Sequence, residues 1–303
     1  MGRVLVIGAG LKGLVTGIRE HLAGNRVFIV EKRETIGGRG TSEKSQGFAI
    51  EHGPHLLLKG GELHKMIKKV SKIKPSLRPI IPSKILIAGI GPMYPINDPK
   101  ALFQLKSGND PIRENAIKLI SGWGIENPSR RKALLKHKLC VINEGWAGLV
   151  GRLATTLEEV GVPIQCNTEI IMKNGKPFVK DGPEIEADRV YFCVGPEKNN
   201  RIEVSTYDII LNNNPLGKTH ALIKEDVAIM NLGAIHTNKL PENYAHLSCI
   251  SIKEGVKAIE ALLDERLSGW RNHIVTQRIN NKITLSDLSG QLSDGVLMKK
   301  EED

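Results

Sequence analysis

The sequence predicts an α/β protein made of two parts, and three observations predict it. A branched apolar run, Val4-Leu5-Val6-Ile7, feeds directly into Gly8-Ala9-Gly10-Leu11-Lys12-Gly13 and then into a helical pattern reaching about Ala23. A second apolar run, Arg26-Val27-Phe28-Ile29-Val30, ends at an acidic residue, Glu31. Much further along, Asp188-Arg189-Val190-Tyr191-Phe192-Cys193-Val194 reads as a buried parallel strand closing on Gly195-Pro196, so the first part is assembled from separated segments.

Strand, tight turn, helix, strand and acid, in that order, describe a Rossmann-like dinucleotide-binding unit. Gly8 permits the sharp turn, Gly10 lets the backbone approach a pyrophosphate, and Gly13 lets the helix pack closely on the strand. The helix beginning at Leu11 turns its first N–H groups towards the phosphates. Glu31 can accept hydrogen bonds from both ribose hydroxyls, which favours NAD or FAD over NADP, and Lys32 beside it is counted with the cofactor residues.

Directly after Glu31 comes a second glycine element, Thr35-Ile36-Gly37-Gly38-Arg39-Gly40-Thr41, and then Phe48-Ala49-Ile50-Glu51-His52-Gly53-Pro54-His55. An NAD enzyme has no need of this second loop. At these residues the chain resembles the flavin-dependent amine oxidoreductase superfamily, which includes monoamine oxidases, protoporphyrinogen oxidases and phytoene desaturases. The resemblance implies that Gly37, Gly38 and Arg39 wrap the far side of an FAD, with the arginine near the pyrophosphate. It also implies that Gly53 and His55 border the flavin cavity. A later stretch, Glu144-Gly145-Trp146-Ala147-Gly148-Leu149, matches the same family and opens a helix with Leu149, Leu153 and Leu157 at fourfold spacing. After it the family's adenine contact falls on the strand ending at Ile170, and its "aDxVvxavgp" strand falls on Asp188 to Pro196, bringing in Gly195.

The expected organisation is a discontinuous FAD-binding domain from residues 1–58 and 140–200, and an α+β substrate domain from 59–139 and 201–281. A polar tail at 282–303 is expected to be frayed. In the substrate domain, Lys84 to Ala88 and Met93 to Ile96 read as a hairpin, and short helices are expected over 98–104 and 111–123. Strands are expected at His220–Ile223, Val227–Gly233, His246–Ile252 and His273–Ile279, with an amphipathic helix from Glu254 to Leu267. A further hairpin is expected around Lys180-Asp181-Gly182.

Composition narrows the function classes. The 303 residues carry 43 Lys and Arg against 33 Asp and Glu, for a net charge of +10, but aromatics are only 4 % and no nucleic-acid motif occurs, so nucleic acid is not an expected partner. Cys140, Cys166, Cys193 and Cys249 show no metal-ligand clustering, and Cys166 and Cys193 read as small buried hydrophobes on interior strands. No metal site is expected. The absence of a signal segment or a membrane-spanning apolar run points to the cytoplasm. Between Glu62 and Lys84, Leu63, Met66, Ile67, Val70 and Ile73 mark one helical face and Lys65, Lys68, Lys69 and Lys72 the other, a pattern suited to peripheral contact with anionic membrane.

Two function classes remain open on sequence alone. The first is an FAD-dependent oxidoreductase that moves hydride from an apolar or amine-bearing small molecule to flavin N5 and hands electrons to an unknown acceptor, with no assigned catalytic acid or base. The second is a shortened, non-catalytic relative that binds FAD or another nucleotide, motivated by the lack of any Gly-Asp dipeptide, which the family uses to hold the flavin. A nicotinamide-dependent reductase is a third, weaker reading.

Overall fold

The computed structural model describes residues 1–51, 55–60, 62–71, 73–88, 94–95, 136, 139–194, 201–236, 240–251, 255–286 and 296–298. In chain order its first elements are β1 (Arg3–Ile7), α1 (Leu11–Leu22), β2 (Arg26–Val30), β3 (Ser42–Ser45), β4 (Phe48–Glu51), β5 (Leu56–Leu58), α2 (Glu62–Ser71), β6 (Leu77–Pro79), β7 (Ile85–Ala88) and β8 (Tyr94–Pro95). Next come β9 (Leu139–Ile142), α3 (Gly145–Glu159), β10 (Ile164–Gln165), β11 (Ile170–Lys173), β12 (Lys176–Val179) and β13 (Arg189–Phe192). The remainder is β14 (Arg201–Leu211), β15 (Ala221–Lys224), β16 (Val227–Asn231), α4 (Leu232–Ile235), β17 (Ala245–Ser251), α5 (Gly255–Arg266), β18 (Ile274–Ser286) and β19 (Val296–Met298).

The first large sheet has the order β10-β2-β1-β13-β19, parallel except where β19 runs against β13. A parallel sheet is covered on both faces, which demands near-continuous apolar strands. Val4, Leu5, Val6, Ile29 and Val30 supply them and are all buried. On one face, Leu14, Val15 and Ile18 of α1 and Leu149, Leu153 and Leu157 of α3 close over Val4, Val6 and Ile29. The fourfold leucine spacing is therefore the stripe by which α3 joins the core. The other face is sealed by Leu5, Ile7, Val30 and Val190 against Phe28, Ile170 and Ile185.

Helix α2, expected in the second part, instead drives Ile67 into this first core beside Ile73. Its Lys65, Lys68 and Lys69 are exposed. A three-stranded sheet, β5-β9-β6, lies next to it in sequence, and β3 pairs with β4 as a hairpin.

The second large sheet has the order β18-β14-β17-β16-β15-β7-β8, antiparallel except for the parallel β15–β7 pair. Side chains alternate across a strand. Tyr207, Ile209 and Leu211 of β14 and Leu247 and Cys249 of β17 thus meet Ile259, Leu262 and Leu263 of α5. Thr206, Asp208, His246 and Ser248 take the opposite parity and the opposite face.

Three local expectations are corrected and one is extended. Strand β14, eleven residues long, lies in a stretch that the sequence reading left unassigned. Its Val204, Thr206, Tyr207, Ile209 and Ile210 were the available signal. The hairpin expected around residues 180–182 is preceded by a more regular one, β11–β12, turned by Asn174 and Gly175 with φ of 51° and 73°. Asn-Gly with both residues left-handed is the favoured two-residue hairpin connection, and the expected turn is present beside it, with Val179 N–H donating to the Pro183 carbonyl at 3.0 Å, Ile185 N–H to the Pro177 carbonyl at 2.8 Å and a Phe178–Glu184 bridge. The stretch read as a frayed tail contains the end of β18 and all of β19, whose backbone occupies the edge of β13 that would otherwise present unpaired groups. Finally, the fully buried cysteines are Cys140 and Cys249 rather than Cys166 and Cys193; all four are free thiols. Burial pushes the Cys140 thiol up to about 11, so it is inert at neutral pH. The helices expected at 98–104 and 111–123 lie outside the described residues, as do Gly53 and Gly195.

Candidate functional site

The chain leaves β1 at Gly8, whose φ of +101° is closed to most side chains; a Cβ there would also lie 2.8 Å from Val194 Cγ1. A Cβ on Gly13 would fall 1.8 Å from the Gly8 carbonyl oxygen, so only glycine lets α1 approach the turn this closely. Gly10 is the N-cap of α1 in an extended conformation, with no side-chain cap and no acidic residue in the first turn. The helix therefore presents a positive, uncapped N-terminus at the carboxyl end of a parallel strand, where α/β sheets bind ligands. Leu11 opens that helix, half-buried against the first core.

Glu31 braces the turn. Its Oε2 accepts the Ala9 N–H at 2.9 Å and its Oε1 the Arg33 N–H at 3.0 Å, while its backbone pairs with Gln165 and Thr168. The sequence reading assigned this carboxylate to a ribose, and the structure shows a prior task in holding two backbone donors. Each carboxylate oxygen has a second lone pair, so one task does not preclude the other. The neighbouring Cys166 thiol is raised by burial first and by the Glu31 charge second. Lys32 is exposed and helps Lys180 keep Glu169 below the usual carboxylate range, chiefly through the hydrogen bond from Lys180.

The second glycine loop folds onto the first. Gly37, at φ +107°, donates its N–H to the Ala9 carbonyl at 2.8 Å and makes a parallel bridge with Gly10. A Cβ on Gly38 would lie 3.6 Å from Gly10 Cα, and one on Gly40 would lie 2.9 Å from Val150 Cγ2 of α3. Gly38, Arg39 and Gly40 form a single 3-10 turn closed by the Thr41 hydroxyl donating to the Gly38 carbonyl at 2.9 Å.

Of the residues singled out in the sequence, Gly8, Gly10, Leu11, Gly13, Glu31, Gly37, Gly38 and the backbone of Arg39 thus gather around one helix end. Ile170 packs behind them, in the core against Leu5 and Val190. His55 stands apart, against the second sheet: its Nε2 is 2.8 Å from Ser248 Oγ and its Nδ1 is 3.4 Å from Glu51 Oε2. Asp208 and Ser248 were missed by sequence reasoning, because the register of β14 and β17 is what brings them together, and Glu51, at the end of β4, reaches them only through His55. No group of His, Cys, Asp and Glu among the described residues could hold a metal ion, and no described helix is long and apolar enough to cross a membrane.

An uncapped helix end, an acid-braced glycine turn and a second glycine loop laid across it define a Rossmann-like α/β unit. Comparison with known proteins agrees, since the family described as NAD(P)-binding Rossmann-like domain matches residues 6–70. Phytoene dehydrogenase of Streptomyces griseus is 44 % identical over 54 residues, which make up 18 % of this chain and 11 % of that protein. The chain thus covers about a ninth of the length of the curated relatives it matches. Among solved structures, an oxidoreductase from Methanosarcina mazei is similar with a TM-score of 0.68 at 17 % identity, over 92 % of this chain and 88 % of that one. A putrescine oxidase bound to putrescine gives 0.64 at 14 % identity, over 95 % and 89 %. At such identities these structures speak to fold alone. In fold and in its N-terminal motif, the chain resembles the flavin-dependent amine oxidoreductase superfamily.

Proposed function

We propose that this chain is an FAD-dependent oxidoreductase that takes hydride from an apolar or amine-bearing small molecule and delivers the electrons to a separate acceptor. The observation that carries the reading is the Gly10–Gly37 bridge, which joins two glycine loops at one uncapped helix N-terminus. A Cβ on Gly10 would meet only the Gly37 carbonyl oxygen, at 3.8 Å, so the two loops face each other without side chains between them. That cradle suits a pyrophosphate, held by the first amides of α1, with Glu31 beside it for the ribose. FAD bound there would supply hydride acceptance; the chain's own residues bind the carrier, orient it and exclude water. Its motif-bearing relative is named a phytoene dehydrogenase and one fold neighbour a putrescine oxidase, which motivates the apolar or amine-bearing substrate.

The test is absorbance and mass analysis of the small molecule carried by the purified protein, followed by reconstitution with FAD or NADH. A flavin spectrum that dithionite bleaches is the expected result. A well-folded sample with no affinity for FAD overturns the reading, and binding of NADH alone would replace it with a nicotinamide reductase. In this reading residues 1–58 and 140–200 form the FAD domain, with α2 added to it, and 201–281 with the β7–β8 segment form the substrate domain. Contact of the 62–84 segment with anionic lipid would be electrostatic, because Ile67 and Ile73 are spent on the core. Pelleting with anionic vesicles should then vanish at high salt.

A further inference from the structure

The flank of α1 that faces β13 carries a cation beside the glycine turn. Residues three or four apart on a helix share one face. Arg19, Thr16 and Lys12 are spaced in this way, and the first two touch β13 or the residue that continues it: the Arg19 guanidinium lies 5.6 Å from the centre of the Tyr191 ring, and Thr16 Oγ1 is 3.9 Å from Cys193 Sγ. Tyr191 and Cys193 are in turn two apart, which puts them on one face of their strand. The stripe on the helix therefore runs up the strand towards the carboxyl edge of the sheet.

Lys12 is the next step of that stripe. Four helical residues beyond Thr16 carry it about 6 Å along the axis, close to the rise of two strand residues, so Lys12 stands past Cys193 at the sheet edge. Helical side chains lean towards the N-terminus, which takes the ammonium further in that direction. The edge is open to solvent: Lys12 is half-buried, and Val194 is 55 % exposed with its Cγ1 beside Gly8. Glu31 marks the opposite flank, since it follows β2 on the other side of β1. The turn thus lies between an acid on the β2 side and an ammonium on the β13 side. The first turn of α1 holds no acidic residue, so the ammonium adds to the positive end of the helix dipole.

We propose that Lys12 binds the second phosphate of the dinucleotide, the one farther from the adenosine, and so makes the site selective for a diphosphate. The proposal rests on the cofactor reading above, in which Glu31 takes the ribose and the first amides of α1 take the pyrophosphate. A carrier whose ribose sits at Glu31 crosses the turn from the β2 side. Its second phosphate is then the one that arrives on the β13 side, where the lysine stands. Backbone amides there are neutral donors, and a side-chain cation adds a charge-assisted contact, which is stronger. The gap between β1 and β13 is also where the strand order turns back, the place at which open parallel sheets take their ligands. Lys12 is a binding residue in this scheme: no bond to it forms or breaks.

Titrations of the full chain, freed of bound cofactor, with ADP by calorimetry and with AMP by ligand-observed NMR test this. Lys12→Met keeps the reach of the side chain without its charge, and Lys12→Arg keeps the charge; thermal melting checks that each variant folds. Lys12→Met should weaken ADP about tenfold and leave AMP within about twofold, because AMP has no second phosphate. Lys12→Arg should stay within about threefold of the wild type for both, since the guanidinium also pairs with phosphate. Added salt should weaken ADP binding more in the wild type than in Lys12→Met, because salt screens an accessible ion pair. Equal ADP affinity in Lys12→Met and the wild type overturns the proposal. So does an equal loss for ADP and AMP, which would put the cation at the first phosphate or in general attraction of anions. The same titrations with FAD separate this from the flavin reading: Lys12-dependent ADP binding with FAD refused would sink the flavin and leave the lysine in place, whereas refusal of every adenine nucleotide sinks both.

Discussion

The five-stranded sheet carries the candidate cofactor site and the seven-stranded sheet a buried polar cluster, and the two are built from different materials. The first sheet uses backbone: a left-handed glycine, a helix without a cap and two loops bonded N–H to carbonyl. The second sheet sets polar side chains on one face, Asp208 of β14, Ser248 of β17 and Arg278 of β18, side by side through strand register. A backbone site is written in consecutive residues and a register site is not. The two should therefore fail differently when altered, the first sterically and the second through charge.

The largest effect is expected at Gly13. In Gly13→Ala the new methyl meets the Gly8 carbonyl oxygen at 1.8 Å, and backbone on both sides leaves nothing flexible to yield. We expect a loss of about 4 kcal/mol of stability and no measurable nucleotide binding, read by thermal melting and by FAD titration. The control is Gly24→Ala, at positive φ (+81°), unlike Gly13, but with nothing within 4 Å of the added atom, which should cost only about 1 kcal/mol. Similar losses in the two variants would mean that Gly13 matters for its flexibility and not for close approach.

That contrast also explains what could be read from the chain. Gly8, Gly10, Gly13, Glu31 and Gly37 were legible because each job is local: a dihedral, a helix end, the residue that follows a strand. Leu149, Leu153 and Leu157 were legible because a helical stripe repeats in sequence. Strand β14 passed unread although its residues suit a strand, and with it went Asp208, whose partners lie 40 positions away at Ser248 and 70 away at Arg278. The role of α2 was half legible: its two faces were plain, but only packing shows that Ile67 belongs to the first core. The Asn174-Gly175 hairpin was written in the sequence and went unrecognised.

The next largest effect lies in the second sheet and is set by pH. His220 is buried, with Nδ1 accepting the Ile81 N–H at 3.2 Å; burial first and Lys84 second lower its pKa to about 4. The unfolded chain protonates this group near 6.5, so as pH falls below 6.5 the unfolded state gains a proton that the folded state refuses. Stability contributed by the neutral ring is complete above 6.5 and is lost progressively down to about 4, a total of about 3 kcal/mol. Urea midpoints at pH 7 and pH 4.5 should separate the wild type from His220→Asn, whose amide oxygen can keep the acceptor without titrating. Equal acid sensitivity in the two would assign the loss to other groups.

A smaller effect is expected at Glu31, where the first sheet does use a side chain. Glu31→Gln keeps the shape but turns an amide NH2 towards either the Ala9 or the Arg33 donor, and it removes the charge from the ribose bonds. FAD affinity should fall about tenfold, equivalent to about 1.4 kcal/mol, with the β1–β2 pairing intact by circular dichroism. Unchanged affinity would show that the carboxylate serves only the two backbone donors.

The smallest effect should have the opposite sign. Ser251 ends β17 fully buried, its backbone paired to Ser205 and Val227, and its hydroxyl has no hydrogen-bond partner among the described residues. Burying a hydroxyl without a partner costs free energy that the backbone pairing does not return. Ser251→Ala removes the polar atom and leaves the strand unchanged, so stability should rise by about 1 kcal/mol and Tm by about 2 °C. A lower Tm would mean that this hydroxyl is satisfied in solution, by water or by chain outside the described residues. The polar atoms near Asp208 would then be satisfied in the same way, and the second sheet would differ from the first only in where its hydrogen bonds are written.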